Sequence, residues 1–124
     1  MTAPRILLVD DSNTSILLDK MILRGYRIDV ARSGEECLAL ATAAPPDLIV
    51  LDVMMPGITG YETCRRLRGN EITRRVPVLM CTTMSTPEAI AEAREAGCDD
   101  YLVKPIQPDE LLSKAKKLLA GVKP

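Results

Sequence analysis

The stretch Leu48-Ile49-Val50-Leu51-Asp52 constrains the fold more than any other. Four apolar residues run without a polar break into one carboxylate, and Pro56-Gly57 then forces a turn. An apolar run of this length fits a strand buried on both faces of a parallel sheet. Asp52 then sits where a central strand stops and a loop begins. In open α/β sheets, ligands and chemistry lie outside the carboxyl ends of the strands. On this stretch alone, an aspartate that only caps the next turn fits equally well.

The pattern recurs along the chain. Arg5-Ile6-Leu7-Leu8-Val9-Asp10-Asp11 is an apolar run ending in two acids. Val78-Leu79-Met80-Cys81-Thr82-Thr83 ends in hydroxyls, and Tyr101-Leu102-Val103-Lys104-Pro105 ends in a lysine before proline. Were these strands parallel neighbours, three acids, a hydroxyl and an ammonium would converge on one rim. Asp10-Asp11, Asp52, Thr82 and Lys104-Pro105, in that order and each at a strand end, resemble a bacterial response-regulator receiver domain. That family includes the chemotaxis response regulator. The resemblance covers nearly the whole chain, Arg5 to Leu119. It implies a flavodoxin-like, doubly wound α/β fold: five parallel strands in the order 2-1-3-4-5, with five helices.

Alternating helix and strand signals agree with that class. Strand 1 is expected over Arg5–Asp10. A helix follows from Ser12 to Arg24, capped by Ser12 or Asp11 and stopped by Gly25. Leu18, Met21 and Ile22 share one stripe and are expected to face the sheet. Ile16, Leu17 and Leu23 exceed one stripe, and serve either as extra core or as an apolar patch for a partner helix. Tyr26–Val30 alternates, as an edge strand does. Ser33-x-x-Glu36 and Thr59-x-x-Glu62 are capping boxes that open helices 2 and 3. These helices end before Pro45 and at Gly69-Asn70. Strand 4 is expected over Val76–Thr82, with a helix from about Ser85 to Gly97. Strand 5 spans Asp100–Val103, and the last helix Pro108–Ala120.

A chain of 124 residues suits one domain, expected to be a single receiver spanning 1–124 with no output domain. No apolar run is long enough for a membrane span, and Met1-Thr2-Ala3-Pro4 leaves no room for a signal peptide before the first strand. Net charge is −1, from 16 basic and 17 acidic residues, so nothing draws the chain to nucleic acid or anionic lipid. Arg65, Arg66, Arg68, Arg74 and Arg75 lack interleaved aromatics and read as a solvated face. The four cysteines, Cys37, Cys64, Cys81 and Cys98, form no C-x-x-C pair. Reduced thiols in a cytoplasmic protein are the expectation. The chain has no histidine, which excludes a Ser/His/Asp or Cys/His centre. A phosphohistidine donor must therefore be another protein.

Three clustered carboxylates repel one another unless a cation joins them, and oxygen donors favour a hard ion such as Mg²⁺. The resemblance implies Asp52 as the phosphoacceptor. It implies Mg²⁺ on Asp11 directly, on Asp10 through water, on Asp52 and on the backbone carbonyl of Met54. Lys104 and the Thr82 hydroxyl would neutralise phosphoryl oxygens. Thr82 and Tyr101 would act as a switch that alters the face of helix 4, strand 5 and helix 5. Tyr101 alone also fits a half-buried edge residue. The implied partners are a histidine kinase or histidine phosphotransfer protein, an unspecified downstream target, and a phosphorylation-dependent second copy. In the family, polar groups two residues after the aspartate and the threonine hold a hydrolytic water. Here those positions are Met54 and Met84, so a long-lived phosphoryl group is expected. A phosphatase acting through phospho-aspartate would need a second aspartate at position 54, where this chain has methionine. A degenerate scaffold would not keep the full acid, threonine and lysine set.

Overall fold

The computed structural model describes residues 3–121. Five strands form one parallel sheet in the order β2-β1-β3-β4-β5. The strands are β1 Arg5–Val9, β2 Arg27–Ala31, β3 Leu48–Asp52, β4 Val78–Thr82 and β5 Asp100–Val103. The helices are α1 Asn13–Ile22, α2 Gly34–Ala43, α3 Gly60–Arg68, α4 Pro87–Ala96 and α5 Pro108–Leu119. This is the flavodoxin-like architecture expected from the sequence. Asp10 lies one residue beyond β1, β2 starts one residue later than expected, and Val76 and Pro77 precede β4.

Alternation along the strands builds two apolar layers. Ile49, Leu51 and Val53 face the α2–α4 side, with Leu7, Val9, Val78 and Met80. Leu48 and Val50 face the α1–α5 side, with Ile6, Leu8, Leu79 and Leu102. Every residue of β3 is buried, which is why its sequence reads as an unbroken apolar run. Truncating Leu51, fully buried, would cost about 2–5 kcal/mol in lost transfer energy and residual cavity.

Side chains start four of the helices, three of them as anticipated and α4 through Thr86, which the sequence reading had not singled out. Ser12, Ser33, Thr59 and Thr86 accept hydrogen bonds from the amides of Ser15, Glu36, Glu62 and Ala89. Neither capping box closes in full. Glu36 reaches the amide of Arg32 at 2.7 Å, one residue before its cap, and Glu62 turns to Arg66 at 2.8 Å.

The face of α1 differs from expectation in part: Ile22 packs against the core as expected, whereas Leu18 and Met21 do not. Ile16 and Asp19 are its buried residues, followed by Leu23 just past its end. Leu17, Leu18 and Met21 are more than half exposed. Apolar side chains surround this helix, so periodicity did not fix which stripe turns inward. The start of the helix does. Ser12 caps it and donates its own amide to Asp10 Oδ1 at 2.9 Å, which pins α1 directly against the end of β1. Ile16 and Leu23 are core, while Leu17, Leu18 and Met21 form an apolar surface. That surface borders a groove of about 800 Å³ between α1 and α5.

Arg68 also corrects the reading of the arginines as one solvated face. Its guanidinium donates to the carbonyls of Gly97, Arg74 and Val76 at 2.9, 3.0 and 2.7 Å, and pairs with Asp99 at 2.9 Å. Asp99 in turn accepts the amide of Val78 at 2.8 Å. Gly97 closes α4 at φ +104°, and a Cβ there would also meet Arg68 Cγ at 2.8 Å. Glycine is required for the left-handed cap and for this approach. Arg65, Arg66 and Arg74 do lie on the surface, paired with Glu62, Glu92 and Glu71.

Candidate functional site

The sheet delivers the expected groups to one rim. Asp10, Asp11 and Asp52 each offer a carboxylate oxygen, all within 4.8 Å of one another. Lys104 Nζ lies 3.2 Å from Asp10 Oδ2 and 3.6 Å from Asp52 Oδ1. The backbone sets these positions. Asp52 ends the buried strand β3 and Lys104 directly follows β5, and the Lys104 amide donates to the Thr82 carbonyl at 2.8 Å. The Lys104-Pro105 peptide is cis. Asp10 and Asp52 are buried, whereas Asp11 is exposed.

The second ligand of each charge is local. Asp10 Oδ1 accepts the Ser12 amide, and Asp52 Oδ1 accepts the Val53 amide, both at 2.9 Å. Behind Asp52 the chain turns tightly into α3. A Cβ on Gly60 would sit 2.3 Å from the Asp52 carbonyl oxygen, so only glycine allows that approach.

The electrostatics show a surplus of acid. Burial raises the Asp52 carboxyl above its ordinary pKa; Lys104 opposes this and Asp10 reinforces it. For Lys104, burial acts to weaken the ammonium, but Asp52 and Asp10 outweigh it and its pKa rises. One lysine thus fails to compensate the carboxylates around it. Oxygen donors this close fit a small hard divalent cation, which would relieve the repulsion. Asp10, Asp11 and Asp52 are the residues able to hold it.

The sequence reading missed Asp19. It lies on the inward face of α1, is 8% exposed, and its pKa is pushed up to about 6 by burial and then by Asp10, against the pull of Lys104. The available signal was one acid at the middle of the Ile16, Asp19, Leu23 stripe. Tyr61 was also passed over, as part of a capping box. It is buried on α3 beside the loop that follows Thr82.

Thr82 is fully buried, and its Oγ1 accepts the Met84 amide at 3.1 Å. Tyr101 is buried as well, and its hydroxyl donates to the Met84 carbonyl. Tyr101 thus lies on the edge strand β5, as the alternative reading has it, but is buried rather than half-buried. Met54 is 61% exposed beside Asp52. Met84 Sδ instead lies 3.8 Å from the Tyr61 hydroxyl. The cysteines are free thiols. Burial raises all four, Cys37 and Cys64 to about 12 and Cys98 to about 11, which leaves them poor nucleophiles. Among the described residues, no helix is long and apolar enough to cross a membrane.

Comparison with known proteins agrees with the geometry. A family profile described as "Response regulator receiver domain" matches residues 6–116. The chain is 37% identical over 118 residues to the DNA-binding dual master transcriptional regulator RpaA of Synechocystis, covering 94% of this chain and 49% of RpaA. It thus spans about half the length of that relative. A putative response regulator from Chloroflexus aurantiacus superposes with a TM-score of 0.92 at 39% identity, covering 96% of this chain and 99% of that one. The receiver domain of the sensor histidine kinase PA1611 from Pseudomonas aeruginosa, solved with a magnesium ion coordinated in its active site cleft, gives 0.89 at 29% identity. That match covers 96% of this chain and 99% of the other.

Proposed function

The chain belongs to the response regulator receiver domain family, and from that premise we propose that Asp52 is its phosphoacceptor. Receivers of this family are two-component signalling modules, not enzymes of a conventional class, and they work with histidine kinases and output domains. The observation that carries the assignment is the convergence of Asp10, Asp11, Asp52 and Lys104 at the carboxyl ends of β1, β3 and β5.

The donor is a phosphohistidine on a kinase or phosphotransfer protein. One Asp52 carboxylate oxygen attacks phosphorus, the P–N bond breaks, and its electron pair leaves on an imidazole that takes up a proton. The product is an acyl phosphate. Lys104 lies between Asp10 and Asp52 and can turn its ammonium to a phosphoryl oxygen. The Thr82 hydroxyl can donate to another. Transfer of this kind is mostly positioning and charge neutralisation, and both groups are placed by rigid strands. Mg²⁺ on Asp10, Asp11, Asp52 and the Met54 carbonyl would supply the remaining positive charge. Exposed Leu17, Leu18 and Met21 beside the groove offer the donor an apolar docking face. Once Thr82 engages the phosphoryl group, Tyr101 follows it through Met84, and the α4–β5–α5 face changes for a target or a second copy. The chain acts as one receiver in the cytosol and binds no nucleic acid itself.

The test is intact mass after incubation with acetyl phosphate. With Mg²⁺, one phosphoryl group should add to the wild type and none to Asp52→Asn. Equal phosphorylation of Asp52→Asn would overturn the assignment.

A further inference from the structure

Met84 is held at three points. Its amide donates to Thr82 Oγ1 at 3.1 Å. Its carbonyl accepts the Tyr101 hydroxyl. Its thioether lies 3.8 Å from the Tyr61 hydroxyl, which also sits 3.4 Å from the carbonyl of Ala89 in the first turn of α4. Tyr61 itself is 6% exposed and stands at the second position of α3. The residue before it, Gly60, donates its amide to the Val53 carbonyl at 2.9 Å and abuts the Asp52 backbone. Tyr61 therefore spans from the end of the acceptor strand to the loop that carries the Thr82 response.

We infer that the Tyr61 hydroxyl is a positioning group that transmits the state of Thr82 into α3, making the α3–α4 seam a second responding surface. The inference rests on the reading of Asp52 as phosphoacceptor. If Thr82 Oγ1 turns to a phosphoryl oxygen, the Met84 amide loses its acceptor and the loop must re-form its contacts. A buried phenol left without an acceptor is costly, so the Tyr61 hydroxyl must follow Met84 and Ala89 or lose its bond. Because Tyr61 is fixed to the backbone of α3, its displacement moves α3. The seam it would move is charged and exposed: Arg65 on α3 lies 3.5 Å from Glu92 on α4 and 3.8 Å from Glu62. A shift of one helix against the other would break the Arg65–Glu92 bridge and change the charge pattern presented there. Burial raises the Tyr61 phenol pKa, with Glu92 adding to it, so the group stays a neutral donor.

The experiment compares amide chemical shifts of the wild type, Tyr61→Phe and Met84→Leu, with and without acetyl phosphate and Mg²⁺, with intact mass in parallel. Phenylalanine keeps the ring and its packing, so each variant is expected to fold, as its dispersed spectrum will show. In the wild type, phosphorylation should shift the amides of Glu62–Arg65 as well as those near Tyr101. In Tyr61→Phe the Tyr101 response should persist while the Glu62–Arg65 response falls at least five-fold. Met84→Leu, which removes only the thioether, should reduce it less because the Ala89 carbonyl remains. Without donor, exchange of the Met84–Ile90 amides should quicken about five-fold in Tyr61→Phe. If α3 responds equally in wild type and Tyr61→Phe, the inference is wrong. If the wild type gains no phosphoryl mass, the phosphoacceptor reading fails instead, and the exchange comparison still decides whether Tyr61 holds the loop.

Discussion

The two ends of the sheet treat buried charge in opposite ways. At the amino end, one guanidinium meets one carboxylate: Arg68 pairs with Asp99 at 2.9 Å, and three carbonyls take three of its other four protons. At the carboxyl end, one ammonium faces an excess of acid. Lys104 lies 3.2 Å from Asp10 and 3.6 Å from Asp52, with Asp11 within the same cluster and Asp19 below it. The first arrangement is complete and ties α3, α4, β4 and β5 together. The second is left incomplete by the protein, and what it lacks is positive charge. A fold can hold such an excess at one end because the other end and the core supply stability. The incompleteness is what lets the rim take a cation and a phosphoryl group.

Breaking the complete end should have the largest effect. Arg68→Ala leaves Asp99 buried against fewer partners and frees three carbonyls, at a cost of about 3–5 kcal/mol in urea unfolding. Arg68→Lys should recover only part of it, because an ammonium cannot reproduce the planar fork. A loss under ~1 kcal/mol would show that the clamp is decorative.

Relieving the incomplete end should work the other way. The Asp19 pKa is raised from 3.8 to about 6. The folded chain then binds this proton more tightly than the unfolded chain does, so stability falls as pH rises through that window and stays low above it. Asp19→Asn, which imitates the protonated group, should stabilise the protein by up to about 3 kcal/mol at pH 7.5. The gain should disappear near pH 4. Thermal unfolding in chelator across this range checks it, and a gain independent of pH would contradict the cause given.

A smaller effect concerns the mouth of the site. Met54 is exposed beside Asp52, whereas the Met84 thioether is engaged by Tyr61. Met54→Asn alone should therefore speed loss of the phosphoryl group about ten-fold, by holding a water that a thioether cannot. The decay of phospho-protein after donor removal measures this. Met54→Asn with Met84→Glu should add little beyond the single change.

Much of this contrast was legible in the sequence, for physical reasons. The buried strand β3 could only read as an apolar run, and the acids, Thr82 and Lys104 had to follow such runs to share a rim. Three helix starts announced themselves through Ser12, Ser33 and Thr59. The phase of α1 was not legible. Apolar residues on every side of that helix made the Leu18, Met21, Ile22 stripe as plausible as the Ile16, Asp19, Leu23 stripe. The structure distinguishes them by burying Ile16, Asp19 and Leu23 and leaving Leu18 and Met21 exposed. Arg68 could not be told from its neighbours either, because its partners lie 6 to 31 residues away along the chain. Tyr61 was hidden for the same reason, since its acceptors Met84 and Ala89 belong to another element.

The carboxyl-end rim is short of positive charge, which a divalent cation would supply. Unfolding free energy measured against Mg²⁺ concentration, in wild type and Asp11→Ala, tests it most directly. Asp11 is exposed, so its removal should change metal-free stability by less than about 0.5 kcal/mol. Wild-type stability should climb with the logarithm of Mg²⁺, reaching about 2.7 kcal/mol at a hundred times the dissociation constant. Asp11→Ala should stay flat over the same range. A wild type indifferent to Mg²⁺, or an Asp11→Ala variant that responds as strongly, would contradict the claim.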